Sequence, residues 1–275
     1  MTIDLHVHTA ASDGSLTAEE VVALALDVGL SAIAITDHDS VEGVSPALAA
    51  AAGTPLNVIP GVELSSSAGE LDAHILGYFV DHDDEGLLSM LASLRATRLV
   101  RAEAMVERLS AAGYEITLGQ VVALADHDGA VGRSHVARAL VDSGQVDTVG
   151  QAFRDLIGRN GRFYVSKPLA TPEQAVRTIR AAGGVAVLAH PGISGTEVLL
   201  DDLMACGLGG IEVYHVEHTP EQREHFARVA SERGLLATGG SDFHGPGSVS
   251  GVLGAGGVPD GVVEELAALA ERGRP

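Results

Sequence analysis

The stretch Thr2-Ile3-Asp4-Leu5-His6-Val7-His8-Thr9 decides how this chain of 275 residues is read. Its apolar run is too brief for a helix and reads as a buried strand. The run closes on two histidines two residues apart, and the period-2 alternation of a strand points both imidazoles to one side, where one metal ion can bind both. Six more runs share this character, at 32–36, 57–62, 72–79, 185–189, 210–214 and 235–239. Helical stretches at 17–28, 171–182, 197–205 and 220–233 lie between several of them, with apolar residues at three- and four-residue spacing. Strand alternating with helix predicts a parallel sheet, here closed into an α/β barrel.

In such barrels the chemistry sits at the carboxyl ends of the strands, where loops from distant sequence converge. The ligand-type residues fall at those ends: His6 and His8; Asp37 and His38 in Thr-Asp-His-Asp; Glu63 in Gly-Val-Glu-Leu; His74 in Ala-His-Ile-Leu-Gly; His190 in Leu-Ala-His-Pro; Asp242 and His244 in Gly-Ser-Asp-Phe-His. Any one of these histidines would ordinarily be a hydrogen-bonded surface or core residue. Six of the twelve histidines standing at strand ends beside carboxylates point instead to a multinuclear metal site and to an enzyme. Imidazole and carboxylate without thiolate suit Mn, Fe or Zn in a catalytic setting. The lone Cys206 excludes a cysteine-based zinc knot and a disulfide within the chain.

These motifs resemble the polymerase and histidinol phosphatase (PHP) superfamily of metal-dependent phosphoesterases over roughly residues 1–80 and 172–255. The resemblance implies a distorted seven-stranded (β/α) barrel with two or three divalent metal ions, manganese first, with iron or zinc as alternatives. It implies that His6, His8, Glu63 and Asp242 hold one metal, that Glu63, His74 and His190 surround a second with Glu63 as the bridge, and that Asp13, His38 and His244 hold a third. Asp13 stands where many members of the family have histidine, and Asp37 is expected to orient a ligand from behind. The amidohydrolases, a rival barrel family that also opens on His-x-His, place a modified lysine at the end of the fourth strand. Here the only lysine is Lys167.

The net charge of −20, from 17 basic and 37 acidic residues, argues against binding of long nucleic acid by a basic surface. No targeting segment or long apolar run stands out, so a soluble cytoplasmic protein with no membrane and no obligatory protein partner is expected. The charge is unevenly spread: the first 94 residues hold no Lys or Arg, while twelve of the seventeen lie between Arg95 and Arg180. That segment falls between the fourth and fifth strands and is far longer than one crossover needs. The expected organisation is a barrel of residues 1–80 and 172–275 with a helical insertion, 81–171, covering the active site. Helices are expected at 85–112, carrying Arg95, Arg98 and Arg101 on roughly one face, and at 118–125, 134–142 and 149–157. Arginines such as Arg95 and Arg108 read most simply as a solvated face. At Gly132-Arg133-Ser134-His135 a helix start presents free N–H groups to an anion, Ser134 can cap it, and a guanidinium can grip phosphate bidentately.

The insertion resembles the superfamily branch that dephosphorylates nucleoside 3′,5′-bisphosphates and in some members trims short RNA from its 5′ end. That implies a small phosphorylated substrate, a nucleotide, with Arg133 and His135 contacting its non-reacting phosphate and Arg98 and Arg101 assisting. The expected reaction is metal-assisted phosphomonoester hydrolysis centred on Glu63 and Asp242, with His215 as candidate proton donor to the leaving alkoxide and His218 a weaker one. Histidinol phosphate is the rival substrate, and a non-catalytic metal-bound module the rival class. Alanine at His8 or Asp242 is expected to abolish turnover, read as the release of inorganic phosphate.

Overall fold

A computed structural model describes residues 2–69, 71–125, 131–166, 170–248, 251–259 and 261–273, so Lys167 lies outside the described residues. Strands β1 (Thr2–Val7), β2 (Leu30–Ile35) and β3 (Asn57–Ala68) alternate with helices α1 (Ala18–Asp27) and α2 (Val44–Ala51), and β4 (Leu71–Tyr78) follows β3 directly. Then come α3 (Glu85–Ala111), α4 (Leu118–Ala123), α5 (Arg133–Asp142) and α6 (Val149–Ala152), the last running into a π-helical turn at Phe153–Ile157. The chain returns through α7 (Pro172–Ala181) to β5 (Val185–Leu188), then α8 (Pro191–Ser194), α9 (Leu200–Ala205), β6 (Gly210–His215), α10 (Pro220–Arg233), β7 (Leu236–Gly240) and α11 (Val262–Gly273). Thr17 and Thr219 start α1 and α10 with capping boxes, the side-chain oxygen answering the N–H groups that a helix start leaves free.

The seven strands form one sheet in sequence order. The expectation of a parallel sheet holds for β1–β2–β3 and β5–β6–β7 but fails at β4, which is antiparallel to both neighbours. The reason is covalent: only residues 69 and 70 separate β3 from β4, and a parallel return needs a crossover of a dozen or more residues. β3 also runs to Ala68, six residues past the expected end. The barrel closes at Phe243, whose N–H donates to His6 O (3.2 Å) and whose O accepts from His8 N (2.9 Å).

One apolar layer packs the strands against the helices, with Val7, Ile35, Val62, Ile75, Leu188 and Val213 facing residues such as Val21 of α1 and Ile179 of α7. A second fills the barrel end away from the histidines, where Val262 and Leu266 of α11 meet Ile3, Tyr78 and Val185. The segment between β4 and β5 has an apolar cluster of its own, including Met105, Leu109, Val136, Leu140 and Ile157. No helix of the described residues is long and apolar enough to cross a membrane.

Closure of the barrel needs a bare backbone at Gly240, where a Cβ would stand 2.4 Å from both His6 N and His6 Cβ. Gly240→Ala is expected to force β7 off β1, destabilising the fold by roughly 1–3 kcal/mol, as overpacking does. A lowered denaturant midpoint would show it; an unchanged midpoint would mean that the seam gives way freely.

Candidate metal centre

Glu63 lies in β3 just beyond its last pair with β2 at Pro60, and its backbone is fixed on one side by Asp37 O, which accepts from Glu63 N (3.1 Å), and by Asp39 N, which donates to Glu63 O (3.0 Å). Its carboxylate is buried among five imidazoles. Oε2 lies 3.3 Å from His6 Nε2, 3.3 Å from His8 Nε2 and 3.0 Å from His38 Nδ1. Oε1 lies 2.9 Å from His74 Nδ1 and 3.2 Å from His190 Nε2. His74 reaches this point because β4 runs backwards, so its amino half, not its carboxyl end, stands at the mouth.

Asp242 closes the other side, with Oδ1 3.3 Å from His6 Nε2 and 3.1 Å from His8 Nε2. Asp13 Oδ1 lies 3.2 Å from His244 Nε2 and 3.8 Å from His8 Nδ1. His38 therefore stands between two groups, the His8, Asp13 and His244 set and the Glu63 and His74 set. Three residues here are non-glycine with positive φ: Asp39 (50°), His190 (28°) and Asp242 (53°). Backbone held in that region marks places where surrounding structure overrules local preference.

The donor set fits divalent cations. Nε2 of His6, both ring nitrogens of His8, Nδ1 of His38 and His74, Oδ1 of Asp13 and Oε2 of Glu63 are buried without hydrogen-bond partners. Lone pairs converging this way, unanswered, are strongly destabilising unless cations answer them. Burial opposes a charged Glu63, yet His38, His74 and His6 hold its carboxyl well below the ordinary carboxylate range. Asp13 and Asp242 are held low against burial by His244 with His38 and by His6 with His244 respectively. Burial pulls His38 down to about 4, so its ring is neutral and ready to ligate.

Asp37 does not touch a ligand ring. It accepts from Thr9 N (2.7 Å), Thr9 Oγ1 (2.7 Å) and Ser12 Oγ (2.6 Å), holding the turn that carries Asp13. His215, the candidate proton donor, is fully buried: its Nδ1 accepts from Glu217 N (3.2 Å) and its Nε2 faces Asp242 Oδ2 at 3.6 Å. His218 is also buried, bonded to Val213 O (3.0 Å) and accepting from Gly192 N (3.2 Å).

Two carboxylates went unread in the sequence. Asp4 accepts from Ser241 N (2.9 Å), Ser241 Oγ (2.5 Å) and Gly254 N (2.7 Å), fastening the loop that carries Asp242. Glu212 sits behind His6, Oε1 to Nδ1 at 3.0 Å, and accepts from His190 N (2.8 Å). Each is an acid inside an apolar strand run, and that was the available sign.

A cavity of about 110 Å³ lies against the cluster, with Asp13, His38, His74 and Asp72 on the barrel side and Arg98, Arg101, Arg133, Ser134 and Phe153 on the other. Arg98 is not free: it donates to Asp39 and to Ser65 Oγ. Arg95 is partly exposed with its Nη1 donating to Asp39 O (3.2 Å), and Arg108 lies on the expected solvated face with its Nη1 donating to Tyr164 O (2.9 Å). Arg101 donates through Nε to Val165 O (2.7 Å), and its Nη2 is buried without a partner. Arg133 Nη2 lies 3.3 Å from Asp72 Oδ2. His135 is corrected: its side chain is buried and Nδ1 accepts from Gly132 N (3.0 Å), so it caps α5 from within and lines no wall of the cavity. Ser134 does not cap, because Gly132 occupies that position; its Oγ donates to Asp13 Oδ2 (2.9 Å).

Burial opposes a charged His244, but Asp13 and Asp242 push it from 6.5 up to about 10. That charge stabilises the metal-free fold below 6.5 and the contribution fades as pH rises through about 10. A ligating imidazole must be neutral, so if His244 holds a cation, divalent-metal affinity is expected to rise with pH across this range and binding near pH 7 to release protons. Calorimetry in buffers of different ionisation enthalpy measures this; binding without proton release would remove His244 from the centre.

Residues 4–166 match the PHP domain family. The chain is 40% identical over 250 residues to the 3′,5′-nucleoside bisphosphate phosphatase of Chromobacterium violaceum, covering 89% of this chain and 88% of that protein. It is 38% identical over 248 residues to a 5′-3′ exoribonuclease of Haemophilus influenzae, covering 88% and 90%. A crystal structure from Bifidobacterium adolescentis, assigned as a metal-dependent phosphoesterase, superposes with a TM-score of 0.90 at 35% identity over 97% of this chain and 95% of that one. Sequence, barrel and donor set agree: the chain belongs to the PHP domain family and is a metal-dependent phosphoester hydrolase.

Proposed function

We propose that this protein removes the 3′-phosphate from nucleoside 3′,5′-bisphosphates, leaving nucleoside 5′-monophosphates, and that it also trims short 5′-phosphorylated oligonucleotides. The observation that carries this reading is the cavity in which arginines of the segment between β4 and β5 face the carboxylate and imidazole cluster. Cations held at the cluster and the guanidinium groups opposite would make two separated sites of positive charge, which suits a substrate with two phosphates. The Chromobacterium relative bears the name of that activity, and the Haemophilus relative the name of the oligonucleotide activity.

On this reading residues 81–171 form a subdomain over the mouth of a barrel built from 1–80 and 172–275. His6, His8, Glu63 and Asp242 would hold one ion, Glu63, His74 and His190 a second, and Asp13, His38 and His244 a third. Glu63 would bridge, one oxygen facing His6 and His8 and the other His74 and His190. Bound ions, manganese first and iron or zinc in its place, would lower the pKa of water and neutralise charge on the reacting phosphoryl oxygens. The protein's own share is to position and to stabilise charge, the effects that dominate phosphoryl transfer.

Arg133 would bind the non-reacting phosphate by leaving Asp72, and the unpartnered Nη2 of Arg101 supplies a further donor. Arg98, tied to Asp39 and Ser65, contributes charge and position more than a free fork. His215 is fully buried beside Asp242 and lines no wall of the cavity, so on this reading it would hold that carboxylate in place and leave protonation of the alkoxide to another group.

The test is phosphate release by the manganese-loaded protein from adenosine 3′,5′-bisphosphate, beside histidinol phosphate and a 5′-phosphorylated trinucleotide. Preferential release of the 3′-phosphate is expected; preference for histidinol phosphate would overturn the reading of the arginines. Arg133→Ala is expected to raise KM for the bisphosphate by roughly tenfold or more, with little change for simple monoesters, as loss of remote phosphate binding should.

A further inference from the structure

Glu212 stands in β6 between Ile211 and Val213, whose side chains join the layer under the helices. Strand alternation turns Glu212 the other way, into the barrel, where it is fully buried. A carboxylate there needs an answer at each oxygen. It has two, from different strands: His6 Nδ1 lies 3.0 Å from Oε1, and His190 N donates to Oε2 at 2.8 Å. His6 aims its remaining ring nitrogen, Nε2, at Glu63 at 3.3 Å, and His190, held by its backbone, aims Nε2 at Glu63 at 3.2 Å.

We propose that Glu212 is a positioning residue of the metal centre, fixing the tautomer of His6 and the backbone of His190 so that each ring presents Nε2 to its own oxygen of Glu63. An ionised carboxylate can only accept, so His6 Nδ1 must donate. The neutral ring then carries its lone pair on Nε2, where Glu63 Oε2 and Asp242 Oδ1 both stand 3.3 Å away. His190 is held at φ 28°, a conformation unfavourable for any residue with a Cβ. Its N–H bond to a buried charge is the contact that relaxation of that backbone would break. The proposal rests on the cluster holding metal and is independent of the substrate.

The test is Glu212→Gln, which keeps the shape and removes one acceptor. If the carboxamide NH2 faces His6, it donates to Nδ1 and favours protonated Nε2, closed to metal. If it faces His190, two donors oppose each other. Manganese affinity by calorimetry is expected to fall about 10- to 100-fold, and the thermal midpoint to drop more in the metal-loaded than in the metal-free protein. Equal affinities, with both midpoints lowered alike, would overturn the role of Glu212 and leave the metal centre standing. A wild type that takes up no metal would overturn the centre itself and the proposal with it. Nitrogen-15 spectra of the zinc-loaded wild type test the same point without the variant. Protonated Nδ1 with metal on Nε2 of His6 is expected, and the reverse assignment overturns the proposal.

Discussion

A single buried carboxylate sets the terms for this molecule. Glu63 is 1% exposed and has imidazole nitrogens of His6, His8, His38, His74 and His190 within 3.3 Å. Five aromatic bases around one acid, most of their facing atoms without hydrogen bonds, form a knot that water cannot reach to solvate. Cations relieve it, and the barrel exists in the form that lets β1, β3, β4 and the ends of β2, β5 and β7 meet there. The antiparallel β4, imposed by its two-residue link to β3, serves the same knot: in reverse it brings its amino half, and so His74, to the mouth.

Holding such a knot together takes rigid support behind it. Asp4 ties the Ser241 loop, Asp37 ties the turn before Asp13, and Glu212 ties His6 to His190. These three acids are buried, and each is satisfied by donors from segments distant in sequence. The metal-facing carboxylates differ: Glu63 and Asp13 keep oxygens without hydrogen bonds. Satisfied acids thus mark the scaffold and the unpartnered oxygens of Glu63 and Asp13 the centre, with Asp242 partly exposed beside them.

Charge is divided along the chain in the same spirit. The first 94 residues supply acids and imidazoles but no Lys or Arg. The arginines arrive on helices with an apolar core of their own and meet the barrel at polar junctions that include Arg98 with Asp39 and Ser65, Arg95 with Asp39, Arg133 with Asp72, and Ser134 with Asp13. Acid and base are thereby brought to facing walls of one cavity.

The seven strands, the long α3 and the set of clustered imidazoles and carboxylates were legible in the sequence, because strand periodicity and residue chemistry are local properties. So was the segregation of arginines into one segment. Strand direction at β4 was not read correctly, since it turned on how far β3 runs before a two-residue link. His135 and Ser134 exchanged expected roles: which of two neighbouring side chains caps the helix and which reaches Asp13 depends on the rotation of α5 against the barrel. His215 was read as a proton donor at the mouth and Glu212 was not read at all, because burial is a property of packing. Residue types and their spacing determined what could bind; only the tertiary structure decided which polar atoms keep partners and which are left to a metal, because that depends on distances between segments up to hundreds of residues apart.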